Sequence, residues 1–442
     1  MAKIGQQWLN LPQDILLEVF RYLSFEEKAN VRATCKYFHQ LIDHPTLWLN
    51  KTVVLKRLQS CNSCFWTTLR KRRIRCLVIK EATSKQLQKM VNLIPNLTSV
   101  SMNVKMNIER LRTLRPLANL QNLQLSNSSL VLDQELLSEV VTFKQLTTLV
   151  LCSSLFGRSS SLCLLADLKK LQSLTLHIRQ KNPPLLSFQY ILFRLPKLRE
   201  LSLSSVDTWE NLSLCFTAPE IRTSKQPDGF EPPCISQLQL ERLTLLNSTN
   251  GPLSRKALNQ LRNVRSLSVS LTRPCVLLNT NFVHSMLDNL PNITELELSW
   301  NGPLAEFVKV LPLELTKIDL INARLSNVDV QLLSDSSGKS LKHLSLVLCN
   351  GITETMLKQL PKQFPFLQTL DLSGYRLLNQ EILFGLVEMP FLKEIVISNN
   401  PHLTGTVMKQ FRTLTDNRVH VTQKSKRNYN GCDCIFYSQL LS

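Results

Sequence analysis

Apolar positions near the amino end recur at helical spacing. Leu11, Ile15, Leu16, Val19, Phe20 and Leu23 form one stripe of period 3.6. Pro12 stands at the head of that helix, where its missing N–H leaves nothing unsatisfied. Ser24 followed by Glu27 is a capping box that starts a second helix. Pro45 ends a third helical stretch, and Leu47 and Trp48 close the unit with an apolar anchor. A three-helix unit of about 45 residues buries too little surface to be robust alone, so something must cover part of its stripe. An N-terminal cap for the rest of the chain and a partner-binding module fit that requirement equally well.

From residue 74 the pattern changes to a recurring L-x-x-L-x-L. Clear copies begin at Leu97, Leu120, Leu146, Leu171, Leu198, Leu240, Val264, Ile293, Leu315, Leu341, Leu367 and Leu392, with a degenerate copy at Ile74. The starts advance by about 26 residues, within the range of leucine-rich repeats. In L-x-L the two side chains point to one side of a short strand. Stretches such as Glu354–Leu360 between strands have helical patterning. One strand and one helix cannot hide their own apolar faces, but stacked copies share a continuous core. The expected class is therefore α/β: a small three-helix unit, then a right-handed horseshoe solenoid with parallel strands on its concave face. The expected boundaries are 9–50 for the helical unit, 51–73 for a linker or N-terminal cap, 74–416 for about thirteen repeats, and 417–442 for a tail or cap strand. The interval from Leu198 to Leu240 is overlong and holds Pro219, Pro227, Asp228-Gly229, Pro232 and Pro233, which predicts a loop insertion near 206–236. The competing expectation there is a worn strand at Leu212-Ser213-Leu214.

Only 11 glycines in 442 residues argue against an enzyme built on glycine-rich phosphate loops. Residues 1–8 lack the apolar core of a signal peptide, and no apolar run reaches membrane-spanning length, so neither export nor a membrane is expected. The twelve cysteines then read as reduced thiols of cytoplasm or nucleus, and the N-x-S/T triplets at Asn96, Asn127, Asn211, Asn247 and Asn292 as unused. No nucleophile–base arrangement, metalloprotease motif or phosphate loop appears. Cys61-x-x-Cys64 lacks a second pair at zinc spacing, and Cys432-x-Cys434 is similarly isolated. No catalytic residue, cofactor or metal is expected.

A formal charge of +19 raises the question of nucleic acid. The strand residues expected on the concave face are Gln124, Val150, Thr175, Ser202, Thr244, Ser268, Glu297, Asp319, Ser345, Asp371 and Val396, with a second row that includes His177. Neither row contains Lys or Arg, which phosphate contacts require. The basic residues instead occupy helices, turns, the Arg70–Arg75 run and the tail. A solvated outer face, attraction to acidic partners and a nuclear-import signal at Lys71-Arg72-Arg73 remain as explanations. Glu297, Asp319, Asp371 and His177 are the candidate substrate contacts, and they predict a neutral or basic protein segment there.

The run Leu11-Pro12-Gln13-Asp14-Ile15-Leu16-Leu17-Glu18-Val19-Phe20-Arg21-Tyr22-Leu23-Ser24 resembles the start of an F-box. Cys35-Lys36, Leu41, Leu47 and Trp48 are similar to its later positions, while Lys28, Thr34 and Phe38 depart from the family's usual Leu, Val and Trp. The segment Leu341–Cys349 followed by Gly351-Ile352-Thr353 resembles the cysteine-containing subclass of leucine-rich repeats, with Asn301 and Asn400 in the place of Cys349. The combination resembles F-box receptors of the leucine-rich class. That resemblance implies docking on a Skp-type adaptor and, through it, on cullin and RING subunits. The implied adaptor contacts are Leu11, Pro12, Ile15, Leu16, Val19, Phe20 and Leu23, with Leu16 and Val19 equally suited to the domain's own core. It further implies a non-catalytic receptor of a ubiquitin ligase whose repeats hold a protein substrate, without an obligate homo-oligomer. A non-degradative scaffold, or an F-box-like segment that only caps the solenoid, is the alternative.

Overall fold

Each apolar triplet of the repeat forms a strand, because its alternating Leu residues can be buried on one side only if the backbone extends. The computed structural model describes residues 11–49, 51–58, 61–104, 106–126, 131–153, 155–156, 159–178, 184–204, 211–219, 237–246, 251–270, 280–300, 304–375, 378–398, 400 and 402–424. The chain divides into two compact units, one of residues 1–130 and 135–150 and one of residues 131–134 and 151–442.

The first unit opens with three helices, α1 (Gln13–Arg21), α2 (Phe25–Thr34) and α3 (Lys36–Ile42), and a 3-10 turn at Pro45–Trp48. Strands Thr52–Leu55, Cys76–Ile79, Ser99–Met102 and Asn122–Ser126 then pair side by side, all parallel and in chain order. Val53, Leu77, Val100 and Leu123 stand in register across them. The helices Ser63–Lys71 and Ser84–Leu93 fill the crossovers.

In the second unit the strands run, again parallel and in chain order, from Ser173–Ile178 and Glu200–Ser204 through Arg242–Leu246, Ser266–Ser270, Glu295–Ser299, Lys317–Ile321, His343–Val347, Thr369–Leu372 and Glu394–Ser398 to His420–Lys424. Leu174, Leu201, Leu243, Leu267, Leu296, Ile318, Leu344, Leu370 and Ile395 form one buried ladder of register partners. This is an α/β solenoid of the leucine-rich-repeat kind. Every one of the thirteen motif copies forms a strand beginning two residues after its start.

Two further strands lie outside the expected repeat range. Thr52–Leu55 pairs with Cys76–Ile79, so the segment expected as a linker or N-terminal cap carries a strand and the helix Ser63–Lys71, whose Trp66 and Leu69 are buried. His420–Lys424 pairs with Glu394–Ser398, so the sheet continues past residue 416. Asn50 and Arg418 stand where the motif's first Leu belongs, which concealed both copies. Arg418 uses that place to donate to the carbonyls of Met389, Pro390 and Leu392 at 2.9, 3.0 and 2.7 Å.

The insertion near 206–236 lies mostly outside the described residues, as does the tail from 425 with Cys432 and Cys434. Within the insertion, Ser213–Phe216 is a short helix that buries Cys215 and Phe216, so Leu212-Ser213-Leu214 is not a strand. The Cys349 thiol donates to the Leu320 and Val347 carbonyls at 3.4 and 3.6 Å, and burial pushes it up to about 12. Asn400 closes its own turn in the same way, donating to the Leu378 carbonyl at 2.8 Å. Asn301 lies outside the described residues. Gly351 takes φ +81° beside Cys349, and any Cβ there would meet the Leu325 carbonyl oxygen at 2.2 Å, so only glycine fits this turn.

Candidate functional site

Helix α1 carries two apolar stripes rather than one. Leu16, Leu17 and Phe20 turn inward and are buried. Ile15 is 51% exposed, Val19 38% and Tyr22 84%, at the i, i+4, i+7 spacing that places them on one outer face. Among the candidate adaptor contacts, Leu16 and Phe20 are therefore core residues, whereas Ile15 and Val19 face solvent. Leu11 and Leu23 are half-buried, and Pro12 is exposed. Pro12 contributes its carbonyl, which accepts from the Ile15 and Leu16 amides at 3.1 and 3.2 Å and so sets the first turn.

The motif did not single out Tyr22, Phe25, Tyr37 or Leu49, yet all are exposed apolar residues of the same small unit. The second stripe was present in the sequence as Ile15, Val19 and Tyr22. It merges with the first in the sequence because Ile15 and Leu16, and Val19 and Phe20, are neighbours only about 100° apart around the helix.

The capping box forms as expected. The Glu27 amide donates to Ser24 Oγ at 3.2 Å, and the Ser24 amide donates to Glu27 Oε2 at 2.7 Å. Phe38 sets its ring edge-on to Phe20 at 5.5 Å, and Phe25 sets its ring edge-on to Trp48 at 5.3 Å. Lys28 is buried, and its ammonium donates to the carbonyls of Arg21, at 3.4 Å, and Leu23. Its stem is buried, and its head satisfies the C-terminal end of α1. Burial, followed by the charge of Lys51, lowers its pKa from the usual lysine range.

Asp43, at the end of α3, is the hub of this unit. Its buried carboxylate accepts from Arg32 Nε at 3.0 Å, Arg32 Nη2 at 3.0 Å and Arg72 Nε at 2.8 Å. Arg72 follows the helix Ser63–Lys71 and holds its guanidinium carbon over the Trp48 ring, 3.7 Å from its centroid. Burial raises the Asp43 pKa, but hydrogen bonds and charge from the two arginines outweigh that and hold it below the usual carboxylate value. The middle residue of Lys71-Arg72-Arg73 is thus enclosed in a structural clamp, which argues against that triplet as an import signal.

On the sheet, the expected open acidic surface does not form. Asp319 is 2% exposed, accepting from His343 Nε2 at 2.9 Å and from Lys317 Nζ at 3.2 Å. Asp371 is buried and accepts from the Ser373 amide at 2.9 Å, and Glu297 is half-buried. The charge that faces out lies two residues earlier, at Glu200, Arg242, Glu295, Lys317 and Glu394. Arg242 there reaches Glu200 at 3.1 Å and Glu295 at 3.9 Å. The face expected to lack Lys and Arg therefore has both, paired with acids into a nearly neutral ladder.

His177 is buried, with Nδ1 3.3 Å from Cys152 Sγ and Nε2 3.4 Å from Ser202 Oγ. Burial lowers its pKa to about 4. A folded pKa below the unfolded value of about 6.5 means that the neutral ring's contribution is complete above pH ~6.5 and is lost as pH falls toward 4, on the order of 3 kcal/mol in all. Wild type is expected to lose thermal stability between pH 7 and 4.5 more steeply than His177→Gln. Parallel curves for the two proteins would contradict the burial of this ring.

A helical unit with an exposed apolar face, followed by an all-parallel strand–helix solenoid, is the architecture of a repeat protein with an F-box-like domain. The chain matches the F-box-like family over residues 8–53, so it carries an F-box-like domain followed by a leucine-rich-repeat-like solenoid. It is also similar to a chain in the crystal structure of the Rad7 and Elc1 complex in yeast, with 14% identity, a TM-score of 0.45 and 95% of each chain covered. No curated protein matches it. Among the described residues no helix is long and apolar enough to cross a membrane, and no cluster of three potential metal ligands occurs.

Proposed function

We propose that this protein is the substrate-recognition subunit of an SCF-type ubiquitin ligase. The F-box-like domain docks on a Skp-type adaptor, which joins it to cullin and RING subunits, and the repeats hold a protein for ubiquitination. The observation that carries this reading is the outer face of α1. A domain that leaves Ile15, Val19 and Tyr22 open to water while its own core is complete has apolar surface in excess of what its fold uses. A helix with such a face is suited to a hydrophobic groove. The chain's contribution to ubiquitin transfer is proximity, since a bound substrate lysine sees the loaded conjugating enzyme at high effective concentration.

The test is reconstitution of the full chain with a purified Skp-type adaptor, cullin and RING subunits, using as substrates the proteins it captures from cells. Stable adaptor uptake and ubiquitin transfer to captured clients are the expected results. A folded chain that takes up no adaptor would end this reading. Adaptor uptake without transfer to any client would favour the non-degradative scaffold.

A further inference from the structure

Residues 51–115 hold fifteen Lys and Arg against two acids, Glu81 and Glu109, so the first repeats carry most of the chain's excess of +19. Part of that charge is used internally. Arg72 turns to Asp43, Arg112 and Arg115 turn to Glu139, and Arg57 meets Glu81 at 3.2 Å. Lys56 and Lys80 are exposed and form no ion pair among the described residues.

These two lysines have a defined setting. Leu55 and Ile79 are register partners at the ends of the strands Thr52–Leu55 and Cys76–Ile79, and the Lys80 amide donates to the Leu55 carbonyl at 2.9 Å. Lys56 and Lys80 therefore leave adjacent parallel strands side by side, at a strand spacing of about 4.8 Å. Like charges so placed repel each other unless an anion lies between them. They line a cleft of about 740 Å³ together with Val54, Leu55, Asn62 and Phe65. Its lining lies at and just past the carboxyl ends of the two strands. Val54 is exposed and Phe65 half-buried, so an apolar wall stands beside the paired cations.

We propose that this cleft docks a short acidic segment of a protein partner, whose anionic oxygens bridge Lys56 and Lys80 while a neighbouring apolar side chain rests on Val54 and Phe65. The choice of a protein occupant rests on the receptor reading above, and the cleft then names the substrate's recognition chemistry. A cleft with an apolar wall, sized for a few residues and holding the Arg57–Glu81 pair, suits a peptide better than the continuous cationic track that nucleic acid requires. The oxygens can come from Asp and Glu or from phosphoserine.

The experiment measures fluorescence anisotropy of labelled peptides on the full chain in complex with its adaptor and on the full chain alone. Three short peptides share a Leu-Phe centre flanked by Asp and Glu, by phosphoserine, or by Lys. The first two are expected to bind and the third is not, and whichever of the two binds more tightly identifies the source of the oxygens. Lys56→Glu with Lys80→Glu is expected to weaken binding at least about tenfold. Lys362→Glu with Lys409→Glu makes the same charge change at exposed sites elsewhere and is expected to leave binding unchanged. Equal weakening by the two pairs, no effect of the first, or complete displacement of the peptide by a single-stranded oligonucleotide would overturn the proposal. Adaptor capture is read on the same samples. Loss of peptide binding with capture intact removes the cleft alone, and loss of capture with peptide binding intact removes the receptor reading alone.

Discussion

Replacing Ile15 and Val19 together with Asp is expected to abolish adaptor capture while leaving the protein folded. Both side chains lie on the outer face of α1 and are only partly covered, so their replacement removes little core packing, and the stability change should stay within about 1 kcal/mol. Each is a candidate anchor worth on the order of 2 kcal/mol in a desolvated groove, and a buried carboxylate in its place adds a penalty of its own. The combined loss should exceed about 100-fold in affinity. Leu16→Ala provides the contrast. Leu16 is fully buried, so its truncation should destabilise the helical unit by about 3 kcal/mol and weaken capture only through unfolding. Titration of the adaptor into each variant, with circular dichroism on the same samples, separates the two effects. Undiminished affinity in the Ile15/Val19 variant would show that the adaptor sits elsewhere or not at all.

The second large effect is expected at Asp43. Its carboxylate is shared by Arg32 and Arg72, and Arg72 also makes a cation–π contact with Trp48. Asp43→Ala leaves the buried face of Arg72 without its counter-charge, at a cost of about 3 kcal/mol. Arg32 is partly exposed and recovers some hydration, which keeps the cost from rising further. Asp43→Asn preserves the shape and one acceptor, so it should lose less. Because a long repeat array does not unfold in one step, the global midpoint is the wrong readout. Hydrogen exchange is the suitable one. Amides of α1–α3 and of the helix Ser63–Lys71 should exchange faster in Asp43→Ala, while those of the last strands stay protected. Unchanged exchange across both segments would mean that the clamp contributes nothing to holding the helical unit.

Much of this was legible from residue order because leucine spacing and strand geometry share one period. Wherever L-x-x-L-x-L was intact, as at Leu341 or Leu367, the strand and its neighbours in register followed. The first strand escaped, and the last was legible only as one of two alternatives, a tail or a cap strand, because Asn50 and Arg418 replace the leading leucine; pairing with a neighbouring copy, not their own pattern, makes them strands. The capping box at Ser24 and Glu27 was readable for the same reason as the repeats, since every group it needs lies within four residues.

The functional residues divide differently. The presence of an apolar helix near the amino end was set by sequence alone, and so were the repeat array and the turns closed by Cys349 and Asn400. Which side of α1 stays open was decided only when α2, α3 and the Pro45–Trp48 turn had covered Leu16 and Phe20, leaving Ile15, Val19 and Tyr22 outside. Packing across strands likewise enclosed Asp319, Asp371 and His177, and brought Lys56 beside Lys80. Periodicity records which residues can share a face, because that depends only on local backbone geometry. Whether a face is then covered, or a charge matched, depends on residues distant in sequence, and only tertiary contact supplies them.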